Sequence, residues 1–187
     1  MIKIMLKDGN SLEVEKGTTI LEVAKKISEG LARVATCGEV NGEVKDLRYE
    51  LNEDCNLVID TFESSLEGKK AYWHTTSHIM AQAVKRLFPN VKFAIGPSID
   101  EGFYYDFDVE KPFNDEDKQK IEEEMKKIIK EDIKIERFSL PKKEALELMQ
   151  SQNYKQELIN ELPEGEEISF YKQGDFTDLC AGPHLMS

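Results

Sequence analysis

Ile2-Lys3-Ile4-Met5-Leu6-Lys7-Asp8-Gly9-Asn10-Ser11-Leu12-Glu13-Val14 is the stretch that decides how the chain begins to fold. Ile2, Ile4 and Leu6 recur at every second position, and so do Leu12 and Val14. A period of two places alternate side chains on one face of a strand. Asp8-Gly9 lies between the two runs, and Asp-Gly is a turn pair suited to a tight reversal. The stretch therefore predicts a β-hairpin.

The residues that follow extend it to a small domain. Thr19 with Glu22 three positions later forms a capping box, and Ile20, Val23, Ala24 and Ile27 make one apolar face of a helix over 20–29. Gly30 is placed to end that helix. Val34 and Val40 mark short β segments, Asn41-Gly42 a turn, and Leu57-Val58-Ile59 a last strand. A hairpin, a helix and two or three further strands within residues 1–62 read as a ubiquitin-like β-grasp domain.

Residues 62–68 have linker composition. A helix is expected over 71–88, with Ile79, Met80, Ala83, Val84 and Leu87 as its apolar positions, and a strand over 103–108. Asn114 to Asp132 reads as an amphipathic helix with Ile121, Met125, Ile128 and Ile129 buried. A strand near 133–138 precedes Pro141, which suits the first turn of a helix through Met149. A short helix at 154–162 and strands at 168–171 and around Phe176 complete a second, mixed domain over 63–187. Helices and strands do not alternate regularly, so the fold class is α+β.

The chain of 187 residues carries 25 basic and 37 acidic side chains, a net charge of −12. Nucleic-acid binding by a lone module usually rests on a basic stripe, and none is present. Three cysteines at unrelated spacings argue against a disulfide framework and for a reducing compartment. The first residues lack the apolar core of a signal peptide, and no apolar run reaches membrane-spanning length. A cytoplasmic location and no membrane partner are the expectations.

All three histidines fall in two short patterns, His74-Thr75-Thr76-Ser77-His78 and Cys180-Ala181-Gly182-Pro183-His184. On a helix, His74 and His78 project from one face about one turn apart. Singly, each histidine reads as a surface or satisfied core residue, and Cys180 as a small buried hydrophobe. Together the four point to a shared site. Three imidazoles and a thiol suit tetrahedral zinc, and imidazoles can equally move protons near neutral pH without a metal. Spacing leaves both open. Asp178, two residues before Cys180, could orient a histidine or bind an ammonium group. Lys155 could add positive charge, although a solvated helix face is the commoner fate of a lysine. Of Tyr104 and Tyr105, strand alternation lets only one face the site. No phosphate-binding glycine pattern is present.

His74-Thr75-Thr76-Ser77-His78, the run GPSIDEGFYYDF at 96–107 and DLCAGPH at 178–184 resemble the N-terminal region of bacterial-type threonyl-tRNA synthetases. The β-grasp domain resembles the TGS domain that opens those enzymes. The alanyl-tRNA synthetase editing domain shares the two spaced patterns, but it typically has Cys-Gly-Gly-Thr-His and follows no TGS domain. Ala181 stands where many threonyl family members have Arg. The resemblance implies proofreading of seryl-tRNA(Thr). A methyl group is worth only about 1–3 kcal/mol to a binding pocket, so a threonine site sometimes charges serine. By that resemblance His74 and Lys155 activate water and handle the ribose-side proton, and Asp178 holds the seryl amino group. His78, Cys180 and His184 shape the pocket, and Tyr105 is a wall. No metal is implied as necessary for editing, although the alanine counterpart can hold zinc through the same residue types, and zinc at His74, His78, Cys180 and His184 is a possible cofactor. The TGS domain is implied to be an RNA-contacting or regulatory accessory. The catalytic core, with its ATP and magnesium, the anticodon-binding domain and the contacts of a homodimer are expected beyond Ser187. Two competing expectations are a structural zinc domain and an RNA-binding accessory without hydrolytic activity.

Overall fold

A computed structural model describes residues 1–187. The chain divides into two compact units, Met1–Thr75 with Gly182–Leu185, and Thr76–Ala181 with Met186–Ser187.

In the first unit, β1 (Ile2–Leu6) and β2 (Ser11–Val14) form the expected hairpin, with Ile2 opposite Val14 and Ile4 opposite Leu12. After β3 (Thr18–Thr19) comes α1 (Ile20–Ile27), whose capping box is complete. Thr19 Oγ1 accepts from the Glu22 N–H at 3.2 Å, and the Thr19 N–H donates to Glu22 Oε2 at 2.8 Å. Such a cap is worth about 1 kcal/mol. Gly30 does not end the helix. Ser28 takes an extended conformation, closes α1, and caps α2 (Glu29–Val34) by accepting from the Leu31 N–H. Gly30 and Val34 both lie within α2, because the serine side chain supplies the start signal that periodicity alone did not show.

The remaining strands are β4 (Ala35–Val40), β5 (Glu43–Lys45), β6 (Glu50–Leu51) and β7 (Cys55–Thr61). Asn41 and Gly42 turn β4 into β5 with φ of 51° and 86°, the positive pair of a tight hairpin turn. The five-stranded sheet runs β2-β1-β7-β4-β5, with β1 parallel to β7 and the other neighbours antiparallel. Ile4, Ile20, Val23 and Ala24 are fully buried, so α1 and the sheet share one core. This is the β-grasp arrangement. All three cysteines are free thiols, and burial, followed by the charge of Asp60, pushes Cys37 up to about 12.

Helix α3 (Leu66–Leu87) begins five residues before its expected start. Ser65 Oγ accepts from the Gly68 N–H at 2.9 Å, so the serine inside the supposed linker starts the helix.

In the second unit β8 (Lys92–Phe93), β9 (Ser98–Ile99), β10 (Gly102–Phe103) and β11 (Phe107–Asp108) form two short ladders, β9 with β10 and β8 with β11. The expected strand over 103–108 is therefore broken. Asp106 instead bonds across to Ile95 and Ala94, and the kink turns Tyr105 inward while Tyr104 stays 40% exposed. In α4 (Asp115–Glu131) Ile121 and Ile128 are buried, but Ile129 is 58% exposed. It stands 100° round the helix from Ile128, outside the stripe that 121, 125 and 128 define. Strand β12 (Ile135–Leu140) is followed by Pro141, which caps α5 (Lys142–Leu148) from outside with extended ψ. After α6 (Asn153–Glu161), β13 (Ile168–Gln173) and β14 (Phe176–Leu179) complete the antiparallel sheet β12-β13-β14. No helix of the chain is long and apolar enough to cross a membrane.

Gly68 yields a test of the first unit. A Cβ there would lie 2.0 Å from the Thr61 carbonyl oxygen, which is backbone and cannot swing aside. Helix propensity alone would make Gly68→Ala stabilising by up to about 1 kcal/mol. The clash reverses that sign, and urea melts should show a loss of about 2 kcal/mol.

Candidate functional site

The antiparallel register of β13 and β14 sets Asp178 opposite Tyr171 and points its carboxyl into the second unit, where Asp178 is 3% exposed. Helix α6 brings Lys155 to it, itself 3% exposed, with Nζ 2.8 Å from Oδ1. The kink before β11 brings Tyr105, whose hydroxyl donates to Oδ2 at 2.6 Å. His78 on α3 places Nε2 3.8 Å from the same Oδ2. Three sequence-predicted residues, Lys155, Tyr105 and His78, are thus gathered round the carboxylate of a fourth, Asp178. Lys155 is buried, not on the solvated face that is the usual place for a lysine.

The surroundings fix these groups. The Tyr105 ring stacks on Phe107 at 4.9 Å between centroids and meets Phe93 edge-on. It also lies against Gly96, where a Cβ would fall 2.0 Å from a ring carbon. Ser77 Oγ donates to the Gly96 carbonyl at 2.7 Å, so α3 holds that glycine in place. The ring of His78 faces Tyr105 and Phe176 edge-on. Cys180, half-buried, is tied to Ser169 by two bonds, its N–H to the Ser169 carbonyl and its carbonyl to the Ser169 hydroxyl.

Burial pushes the Asp178 carboxyl up, but the Lys155 ammonium, then His78 and the two hydrogen bonds, outweigh it and hold the group below its ordinary value. Burial, followed by the charge on Asp178, raises the Tyr105 hydroxyl well above its ordinary value, so it remains a donor.

The first unit holds the other two histidines. His74 and His184 stack at 4.2 Å between ring centroids. His184 is 1% exposed, and its Nδ1 lies 3.0 Å from Thr75 Oγ1. Its backbone is clamped by two side chains of the loop after β5. Asp46 Oδ2 accepts from the His184 N–H at 3.1 Å, and Arg48 donates to the carbonyls of His184 and Leu185 at 3.2 and 2.8 Å. The parts played by Thr75, Asp46, Arg48 and Gly96 escaped the sequence reading. Thr75 and Gly96 carried a local signal, as residues of the histidine pattern and of the run at 96–107, and Asp46 and Arg48 carried none.

His74, His78, Cys180 and His184 each offer one nitrogen or sulfur donor atom of the kind zinc takes. The donor types fit that metal, and they fit proton transfer as well.

The buried carboxylate gives a pH-dependent prediction. With Asp178 depressed in the folded state, its contribution to stability is present above the unfolded value near ~3.9 and is lost as pH falls through the lower folded value. Asp178→Asn leaves the Lys155 ammonium buried without its counter-charge, at a cost of about 3–5 kcal/mol at pH 7. Urea melts of both proteins should show that gap narrowing below about pH 4.

Comparison with known proteins accounts for both units. Residues 2–61 match the TGS domain family. The threonine–tRNA ligase of Acetivibrio thermocellus is 67% identical over 189 aligned residues, which take in 100% of this chain and 30% of that protein. The ligases of Clostridium perfringens and Clostridioides difficile are 65% and 59% identical, again over 100% of this chain and 29% of theirs. The chain spans about three tenths of the length of these curated relatives. From end to end, this chain is a homologue of the N-terminal part of bacterial threonine–tRNA ligases, and it opens with a TGS domain.

Proposed function

We propose that the second domain, residues 63–187, hydrolyses seryl-tRNA(Thr), correcting mischarging by a ligase whose aminoacylation core lies outside this chain. The observation that carries this reading is the buried ammonium of Lys155, held 2.8 Å from a buried carboxylate whose other oxygen lies 3.8 Å from an imidazole nitrogen. Ester hydrolysis needs a base for the attacking water, positive charge or donors for the oxyanion, and a proton for the departing ribose oxygen. His74 and Lys155 are the residues assigned to water activation and ribose-side proton handling. Asp178 takes the seryl ammonium. Its two oxygens accept one bond each from Lys155 and Tyr105, and a carboxylate offers about four lone-pair sites, so it can accept another. His78, Cys180 and His184 form walls and position water, with Tyr105 as a further wall. The methyl of threonine is excluded by bulk. The partner is tRNA(Thr) and the setting the cytoplasm.

A second reading is favoured by the donor set of three histidines and a cysteine. In that reading the four residues hold zinc and act as a structural staple. It predicts stoichiometric zinc in protein prepared without chelator, and unfolding on its removal.

Deacylation of seryl- and threonyl-tRNA(Thr) by this chain, and by the complete ligase carrying the same substitution, tests the first reading. Seryl-tRNA(Thr) should be hydrolysed and threonyl-tRNA(Thr) spared, and His74→Ala should slow hydrolysis by about 10²–10⁴-fold. Unchanged hydrolysis by His74→Ala would remove that residue from the mechanism.

A further inference from the structure

We propose that Thr75 is a positioning residue that fixes the neutral tautomer of His184, with the proton on Nδ1 and the lone pair on Nε2. The argument is a count of protons and lone pairs at one buried oxygen. Thr75 Oγ1 has three neighbours within hydrogen-bond range: the Ala71 carbonyl at 3.1 Å, the Leu185 N–H at 3.0 Å and His184 Nδ1 at 3.0 Å. A hydroxyl supplies one proton and two lone pairs. The Leu185 N–H can only donate, so it takes one lone pair. The Ala71 carbonyl can only accept, so it takes the proton. What is left for His184 is a lone pair, and Nδ1 must therefore carry a hydrogen to bond there. Thr75 and His184 are each 1% exposed, so solvent does not substitute for any of the three partners.

The backbone clamp keeps this arrangement from slipping. Asp46 and Arg48 are paired at 2.8 Å and together bind the N–H and the carbonyl of His184 and the carbonyl of Leu185. The ring then has little freedom except rotation about its own side-chain bonds, and the bond to Thr75 restrains that. A neutral imidazole fixed in this form is an acceptor at Nε2. Building on the hydrolytic reading above, His184 meets the substrate as a group that accepts a hydrogen bond or a proton, from the attacking water or from a hydroxyl or ammonium of the seryl moiety.

The tautomer can be read without any activity. The chain labelled with ¹⁵N histidine contains three imidazoles, and the His184 signals are those lost in His184→Gln. Long-range proton–nitrogen correlations, recorded with chelator about two units above the ~6.5 of an unperturbed imidazole, distinguish Nδ1–H from Nε2–H. The native chain should show Nδ1–H at His184. Thr75→Val keeps the shape and removes the hydroxyl, and should shift the population toward Nε2–H, while Thr75→Ser should restore Nδ1–H. Deacylation of seryl-tRNA(Thr) should fall at least tenfold in Thr75→Val and recover in Thr75→Ser. An Nε2–H signal in the native chain, or an Nδ1–H signal that survives in Thr75→Val, would overturn the assignment. A tautomer that follows Thr75 in a chain that hydrolyses no aminoacyl ester would uphold the assignment and count against the hydrolytic reading instead.

Discussion

The pairing of Lys155 with Asp178 is the constraint round which the second unit is arranged. Each partner is 3% exposed, and taking either charge out of water alone would cost several kcal/mol. The pair is held because each supplies the other's counter-charge and Tyr105 binds the second carboxylate oxygen. Helix α6 has to approach β14 closely enough for a 2.8 Å contact. Tyr105 has to abandon the strand that its neighbours begin in order to cap the second oxygen. Gly96 has to lack a side chain so that the ring of Tyr105 can lie against it. A hydrophobic pair of the same volume would often be as stable or more so. Retaining two buried charges and a tyrosine is therefore better understood as serving chemistry than as serving the fold.

In the first unit an equivalent role falls to Asp46 and Arg48. A surface ion pair contributes little by itself, but this one is 10–17% exposed at its side chains and spends its remaining donors and acceptors on the backbone of 184–185. The planar guanidinium reaches two successive carbonyls at once, which a lysine could not do with the same geometry. The first unit thus fixes the backbone of 184–185 through two side chains of its own loop.

The elements that were legible in the sequence are those written in local chemistry. The Asp8-Gly9 hairpin, the Thr19–Glu22 capping box, the Asn41-Gly42 turn and the stripe at Ile121, Met125 and Ile128 each need only a few adjacent residues to be read. Gly30 misled because Ser28, two residues earlier, both ended one helix and began the next. The strand over 103–108 misled because alternation is a local rule, and what breaks it is pairing of Asp106 with Ala94 and Ile95, which leaves Tyr105 turned toward the distant Asp178. The same distinction holds for the site. Two spaced patterns carry every histidine, so His74, His78, Cys180 and His184 announce themselves. Lys155 does not, since nothing in its own helix separates a buried lysine from a solvated one. Asp46 and Arg48 sit 136–138 positions from the residue they hold, and no local pattern joins residues at that distance.

Oriented imidazoles do not by themselves distinguish a metal site from a hydrolytic one. In both, a carboxylate or hydroxyl fixes one ring nitrogen and leaves the other as a donor pair. His184 with Thr75 is of that form, and His78 with Asp178 approaches it at 3.8 Å. What differs between the two chemistries is the sign of the charge to be stabilised. The zinc reading draws only on His74, His78, Cys180 and His184, and the carboxylate near His78 is bonded instead to the ammonium of Lys155. An ammonium and an imidazole held on one buried carboxylate, in surroundings where electrostatic interactions are stronger than in water, instead suit an anion that forms during reaction. In ester hydrolysis that anion is the oxygen of the tetrahedral intermediate. The hydrolytic reading proposed above gives the buried ammonium a part to play, whereas the zinc reading gives it none.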